Sequence, residues 1–142
     1  MSHRHIETRN DYRFFTRIPT RWSDNDQLGH INNVIYYRFF EVVVVDYIMN
    51  RANIDFKTDP VIPFAAESLC RFRKPISFPD IVEGALRIDK LGNTSVRYGI
   101  ALFVAGEEEA VAHGHWVHVF VDRDNQRPTA IPTATRAAFE AT

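Results

Sequence analysis

Val34–Asn50 reads VIYYRFFEVVVVDYIMN, and the fold turns on whether this run is strand or helix. Val42 to Val45 and the aromatic side chains favour strand one residue at a time. Length decides the other way. Strands seldom exceed about ten residues, and these seventeen positions contain neither Gly nor Pro. Projected at about 100° per residue, Arg38, Glu41, Asp46 and Asn50 share one half, yet apolar side chains occur all the way round. A helix of that kind is expected to be buried, and it needs a partner able to curl around it. A curved sheet meets that need.

The flanking sequence supplies the sheet. Tyr12 to Arg21 (YRFFTRIPTR) is rich in aromatic and β-branched residues and reads as a strand. Beyond a linker at Asn53 to Pro63 come four more strand candidates: Phe64 to Arg73, Ile81 to Lys90, Thr94 to Val104 and Glu109 to Asp122. Pro75 through Asp80, then Leu91-Gly92-Asn93, then Ala105 to Glu108 provide turn chemistry between them. Short turns imply antiparallel hairpins, so the four are expected to meander in order. A short helix is expected near Thr135 to Ala141. The class is therefore α+β: a curved antiparallel sheet of about five strands around one long central helix.

The 142 residues fit one domain spanning 1–142, with 1–10 expected to be flexible and 127–142 a C-terminal extension. Composition is globular, at 45% apolar and 25% charged. A net charge of −1 gives no footprint for nucleic acid or an anionic membrane. The basic set is nonetheless distinctive, with 14 Arg against 3 Lys. Arg binds carboxylates and phosphates bidentately, which suits an anionic ligand. The single cysteine, Cys70, excludes an internal disulfide and reads as a small buried hydrophobe. No apolar leader and no run long enough to span a membrane is present, so a cytoplasmic location is expected.

Immediately before the helix stands Trp22-Ser23-Asp24-Asn25-Asp26-Gln27-Leu28-Gly29-His30-Ile31-Asn32-Asn33. Polar groups this dense beside core sequence are costly unless they pair or act on something. Asn32 and Asn33 occupy the helix N-cap region, and Gly29 lets the loop turn. A helix start presents N–H groups without intrahelical partners, which can stabilise an oxyanion. A nearby aspartate completes the minimum needed to attack a carbonyl. Asp24 reads mainly as a loop-former, and Asp26 carries the functional claim. A calcium loop fails, because Leu28 and Ile35 stand where ligands belong. A metal site on His30 also fails for want of ligands, since His113, His115 and His118 lie on a distant strand. By alternation His113 and His115 share one face and His118 takes the other. His3 and His5 read as loose terminus. Glu67, with Ala65 and Leu69 on its face, is a candidate buried acid.

The loop, the pair Tyr36-Tyr37 and the order of strands resemble the hotdog-fold acyl-CoA thioesterases of the 4-hydroxybenzoyl-CoA thioesterase type, from about Tyr12 to Pro132. Arg73-Lys74-Pro75, Leu91 to Ser95 and Val119 to Asp122 add to the likeness. The resemblance implies hydrolysis of a small-to-medium acyl-CoA with Asp26 as nucleophile or general base. It implies an oxyanion site at the Asn33 amide, with His30 and Asn32 orienting the loop or the acyl group. The aromatics Tyr36, Tyr37, Phe39 and Phe40 are candidates either for lining an acyl pocket, Tyr36 first among them, or for plain core. Plant acyl-carrier-protein thioesterases are similar but carry an Asn where this chain has Leu28. Coenzyme A would be held, as part of the substrate, by Arg73 and Lys74 and by Lys90, Asn93, Thr94 and Ser95. No cofactor and no metal is implied. Hotdog domains join sheets edge to edge, so a homodimer, and on stacking a tetramer, is expected. A non-catalytic acyl-CoA or small-ligand binding module is the alternative.

Overall fold

The computed structural model describes residues 5–142. Its elements are β1 (Phe14–Pro19), α1 (Asn33–Asn50), β2 (Val61–Phe72), β3 (Ile81–Leu91), β4 (Ser95–Val104), β5 (Ala112–Asp122) and α2 (Thr133–Ala141). Single 3-10 turns stand at Arg9–Asp11 and Trp22–Asp24. The five strands form one antiparallel sheet in the order β1-β3-β4-β5-β2, curved around α1. This is the hotdog arrangement.

Helix wins over strand at Asn33–Asn50 because the sheet offers those side chains a continuous apolar face. Phe39, Phe40, Val43, Tyr47 and Ile48 are fully buried against Tyr98, Ile100, Leu102 and Phe120. Each large side chain so buried contributes roughly 2–3 kcal/mol relative to exposure. Burial on every side does not hold, however. Val34 is 72% exposed and Met49 54%, and Tyr37 and Glu41 are open on the same stripe. A single five-stranded sheet covers only one side of the helix.

The four later strands do not meander throughout. β3, β4 and β5 do, but β2 pairs with β5 at the far edge and β1 pairs with β3. The segment between β2 and β3 is therefore a crossing connection rather than a hairpin turn. It passes beneath the loop that precedes α1, where the Ile31 N–H donates to the Ile76 carbonyl at 2.7 Å. β2 also begins earlier than its proline content suggests, running through Pro63. Proline is tolerated because β2 is an edge strand. At Gly114 on β5 the two backbones come so close that a Cβ there would overlap the carbonyl oxygen of Leu69.

Residues 5–10 run beside the start of β5. The Ala110 N–H donates to the Glu7 carbonyl, and Thr8 bridges to Glu109. Tyr12 closes a second small core on the outer face of the sheet with Phe103, Ala85, Ala101 and Ala110. Burial raises the pKa of the Glu7 carboxyl, but the Tyr12 hydroxyl and Arg87, each at 2.8 Å, hold it below its usual range. His5 stands 2.8 Å from Glu7, and His3 lies outside the described residues.

His118 is buried on the inner face, its Nδ1 2.9 Å from the Tyr98 hydroxyl. Burial pushes its pKa down to about 4. The unfolded chain takes up this proton near pH 6.5, whereas the folded chain resists it until about 4. Stability should therefore fall as pH drops through that window, by up to about 3 kcal/mol from this group. Urea midpoints between pH 7 and 4 should show the decline, and His118→Asn should flatten it.

Candidate active site at the start of the central helix

The loop ahead of α1 is closed on itself. The Asp26 N–H donates to the His30 carbonyl at 2.8 Å, the Gly29 N–H donates back to the Asp26 carbonyl at 3.1 Å, and Asn25 bridges Ile31. Gly29 has φ +82°, a left-handed conformation that glycine adopts without strain. Asp24 is 2% exposed. One of its carboxylate oxygens accepts the Arg21 N–H at 2.8 Å, the other accepts the Arg38 guanidinium at 3.0 Å, and its carbonyl accepts the Asn32 N–H at 3.0 Å. Asp24 is thus a loop-former, holding both the entry and the exit of the loop.

Asp26 stands differently. Its Oδ1 accepts the Leu28 N–H at 2.8 Å and the His30 N–H at 3.4 Å, an Asx-type turn that fixes the carboxylate's direction. Loop-shaping therefore accounts for one of its oxygens. Its Oδ2 accepts no hydrogen bond among the described residues, and the side chain is exposed beside the cleft.

At the helix start, the Asn32 side chain caps by accepting the Val34 N–H at 2.9 Å, and the Asn32 carbonyl accepts the Ile35 N–H at 2.9 Å. The Asn33 N–H is left without an acceptor among the described residues. That is the orphan donor a helix N-terminus must present to something outside itself.

These groups share one cleft of about 430 Å³, lined by Asp26, Leu28, His30, Asn32, Asn33 and Tyr36 on the loop and helix side. Phe72, Arg73, Lys74 and Pro75, where β2 leaves the sheet, form the opposite wall. The Tyr36 ring meets Phe72 edge-on at 4.9 Å, which joins the two walls. Arg73 is partly committed, its guanidinium 2.6 Å from Glu109, and that hydrogen bond and charge lower the Glu109 pKa. Phe72 and the Glu109 tether are not signalled by the sequence, since both meet the cleft only through the pairing of β2 with β5 and the chain before it.

Lys90, Asn93, Thr94 and Ser95 are not brought to this cleft within one chain. The Arg73 N–H donates to the Val111 carbonyl while Ser95 pairs with Val119, eight residues further along β5 and so about 26 Å away. The turn is held instead by the tail and by β5, through the Ile131 N–H to Asn93 and the Phe120 N–H to Thr94. Glu67 is not buried. It lies on the outer face at a bulge in β2, 2.6 Å from His115 Nε2, while Arg97 stands 3.0 Å from His115 Nδ1. His113 and His115 indeed face outward and His118 inward. Burial pushes the Cys70 thiol up to about 12, so it is inert. Among the described residues the one trio with metal-ligand spacing is His5, Glu7 and Asp11, away from the cleft.

A family model, the thioesterase-like superfamily, matches residues 20–139. The chain belongs to the thioesterase-like superfamily. Among solved structures it is similar to the PA5185 protein of Pseudomonas aeruginosa strain PAO1, at 44% identity over 96% of each chain with a TM-score of 0.93. The PA2801 protein of the same species is 30% identical, over 87% of this chain and 95% of that one, with a TM-score of 0.82. A thioesterase of Thermus thermophilus, solved with coenzyme A and zinc, is 27% identical over 89% of this chain and 91% of that one, with a TM-score of 0.75. The YsmA protein of Bacillus subtilis (strain 168) is 22% identical over 90 residues, a match spanning 60% of that curated relative's length. The matched superfamily region contains every cleft residue named above.

Proposed function

We propose that this member of the thioesterase-like superfamily hydrolyses acyl-CoA thioesters in the cleft before α1, with Asp26 as the catalytic carboxylate. The observation that carries the reading is the pairing, on one cleft, of a carboxylate oxygen free of partners among the described residues with the unpartnered Asn33 N–H. The thioester carbonyl oxygen would accept from Asn33, where charge developing on it meets a fixed donor. Asp26 would then act in one of two ways. As general base it takes a proton from water as the water oxygen attacks, and the proton passes to the departing thiolate. As nucleophile it displaces the thiolate to give a mixed anhydride, which water cleaves. His30 and Asn32 would shape the loop around the acyl group, and Tyr36 would form its floor.

Arg73 and Lys74 suit phosphate groups, being cations at the cleft's outer wall. The turn bearing Lys90, Asn93, Thr94 and Ser95 enters the reading through a second copy. β2 is an exposed edge carrying Phe64, 58% exposed, and such an edge favours pairing. Two-fold pairing along β2 reverses the partner's strand direction. The far end of the partner's sheet, with that turn, would then lie beside Arg73 of the first copy. The coenzyme A complex of the Thermus thermophilus neighbour is consistent with a ligand of this class.

The purified protein should release free thiol from at least one acyl-CoA in a panel running from acetyl to long-chain and aromatic acyl groups, with turnover unchanged by EDTA. Calorimetric titration on the same panel separates the alternative. Tight binding with no thiol release from any thioester would mark a binding module instead.

A further inference from the structure

Arg38 is the only charged residue in the first two turns of α1, and it does not line the cleft. Its guanidinium reaches back to the buried carboxylate of Asp24 at 3.0 Å. From Asp24 the connections run to both ends of the loop. The carboxylate accepts the Arg21 N–H at 2.8 Å where the loop begins, and the carbonyl accepts the Asn32 N–H at 3.0 Å where it ends. Asn32 in turn caps the helix whose first free amide is Asn33. Between these anchors hangs the short turn in which the Asp26 N–H meets the His30 carbonyl. The Arg21 guanidinium also stands 3.5 Å from the Asp24 oxygen that Arg38 meets, but it is 61% exposed and makes no hydrogen bond to it, so Arg38 is the cation that hydrogen-bonds the carboxylate. A buried carboxylate that loses this partner is destabilised and must find water, neutralise or draw in Arg21. Each course pulls Asp24 out of its place and loosens both anchors together.

We propose that the Arg38–Asp24 pair is a positioning device for catalysis: it fixes the distance between the Asp26 carboxylate and the Asn33 amide without touching substrate. This rests on the thioesterase reading for its kinetic consequence, though not for its structural one. Arg38 sits in α1 and so registers the loop against the helix bearing the oxyanion donor. A carboxylate and an N–H that must act on one carbonyl carbon and its oxygen tolerate little misplacement, since an error of about 1 Å costs on the order of a hundredfold in rate.

The test compares the full-length parent with Arg38→Met, Arg38→Lys and the double variant Asp24→Asn/Arg38→Met. Amide hydrogen exchange supplies a readout independent of activity. Arg38→Met should raise exchange at Asp26 and Asn32 at least about tenfold while amides of β3 and β4 keep their protection. On an acyl-CoA that the parent hydrolyses, kcat should fall about 30- to 100-fold with KM within about threefold. Arg38→Lys should restore most of the rate, because a point charge still reaches Asp24. The double variant should lose no more than Arg38→Met alone, as expected for residues acting as a unit. Unchanged exchange in the loop overturns the proposal whatever the enzyme does. Loss of protection with wild-type kcat overturns its catalytic part. Loop loosening in a protein that hydrolyses no thioester leaves the clamp standing and removes the thioesterase reading instead.

Discussion

Asp26→Asn should reduce kcat for thioester hydrolysis by about 10³-fold while leaving the fold and the oligomeric state unchanged. The asparagine side chain keeps an oxygen able to accept the Leu28 and His30 N–H groups that Asp26 Oδ1 accepts now. The loop therefore has no structural reason to change. What is lost is the second oxygen, which neither shapes the loop nor pairs with any described residue, together with its charge. Removing a general base costs roughly 10²- to 10⁴-fold, and removing a nucleophile costs at least as much. KM should stay near the parent's, because the Asn33 amide and the cations Arg73 and Lys74 remain in place. Steady-state kinetics on the parent's best acyl-CoA, with circular dichroism and light scattering on both proteins, would check this. Turnover near the parent's would remove Asp26 from the chemistry.

Gly114→Ala should be the most destabilising of the small substitutions, at about 3 kcal/mol, or roughly 10 °C in Tm. The added Cβ would meet the carbonyl oxygen of Leu69, a main-chain atom that cannot rotate away. β2 and β5 must separate where Cys70 pairs with Gly114, three residues from Arg73 at the cleft wall. The variant should consequently lose acyl-CoA affinity as well as stability. Thermal melts and urea midpoints would measure the first effect and KM the second. A Tm within about 2 °C of the parent's would mean that the two strands yield easily at this contact, against the tight apposition of Gly114 and Leu69.

The helix and its loop were legible because both depend on local features: seventeen positions without a breaker, and a cap sequence directly ahead of them. The five strands were legible for the same reason, being bounded by proline and glycine turns. Strand order was not. Adjacent strands with a short spacer read as a hairpin, and nothing between Arg73 and Ile81 announces that the chain crosses instead; the signal lies in Ile76, whose carbonyl pairs with Ile31 of the loop, a contact between residues 45 apart. The site divides along the same line. Asp26, His30, Asn32, Asn33 and Tyr36 are neighbours in the chain or one helical turn apart, so the loop delivers them together, and Arg73 and Lys74 reach the cleft because β2 ends beside it. Lys90 and the Asn93–Ser95 turn do not reach it, since they lie at the other end of the sheet, where Ser95 pairs with Val119 of β5. Glu67 misled for a simpler reason: small apolar neighbours suggested burial, but on an edge strand that face is open and the carboxylate pairs with His115.

The claim that the loop and helix start form the reacting centre is tested most directly by a crystal structure with a non-hydrolysable acyl-CoA analogue in which a ketone replaces the thioester. The ketone oxygen should stand about 3 Å from the Asn33 N–H, with the Asp26 carboxylate facing the carbonyl carbon at about 3.5 Å. Phosphate groups should lie between Arg73 of one copy and the Asn93–Ser95 turn of another. An acyl carbonyl bound elsewhere, with the cleft before α1 filled only by water, would contradict the assignment of Asp26 and Asn33 to the chemistry.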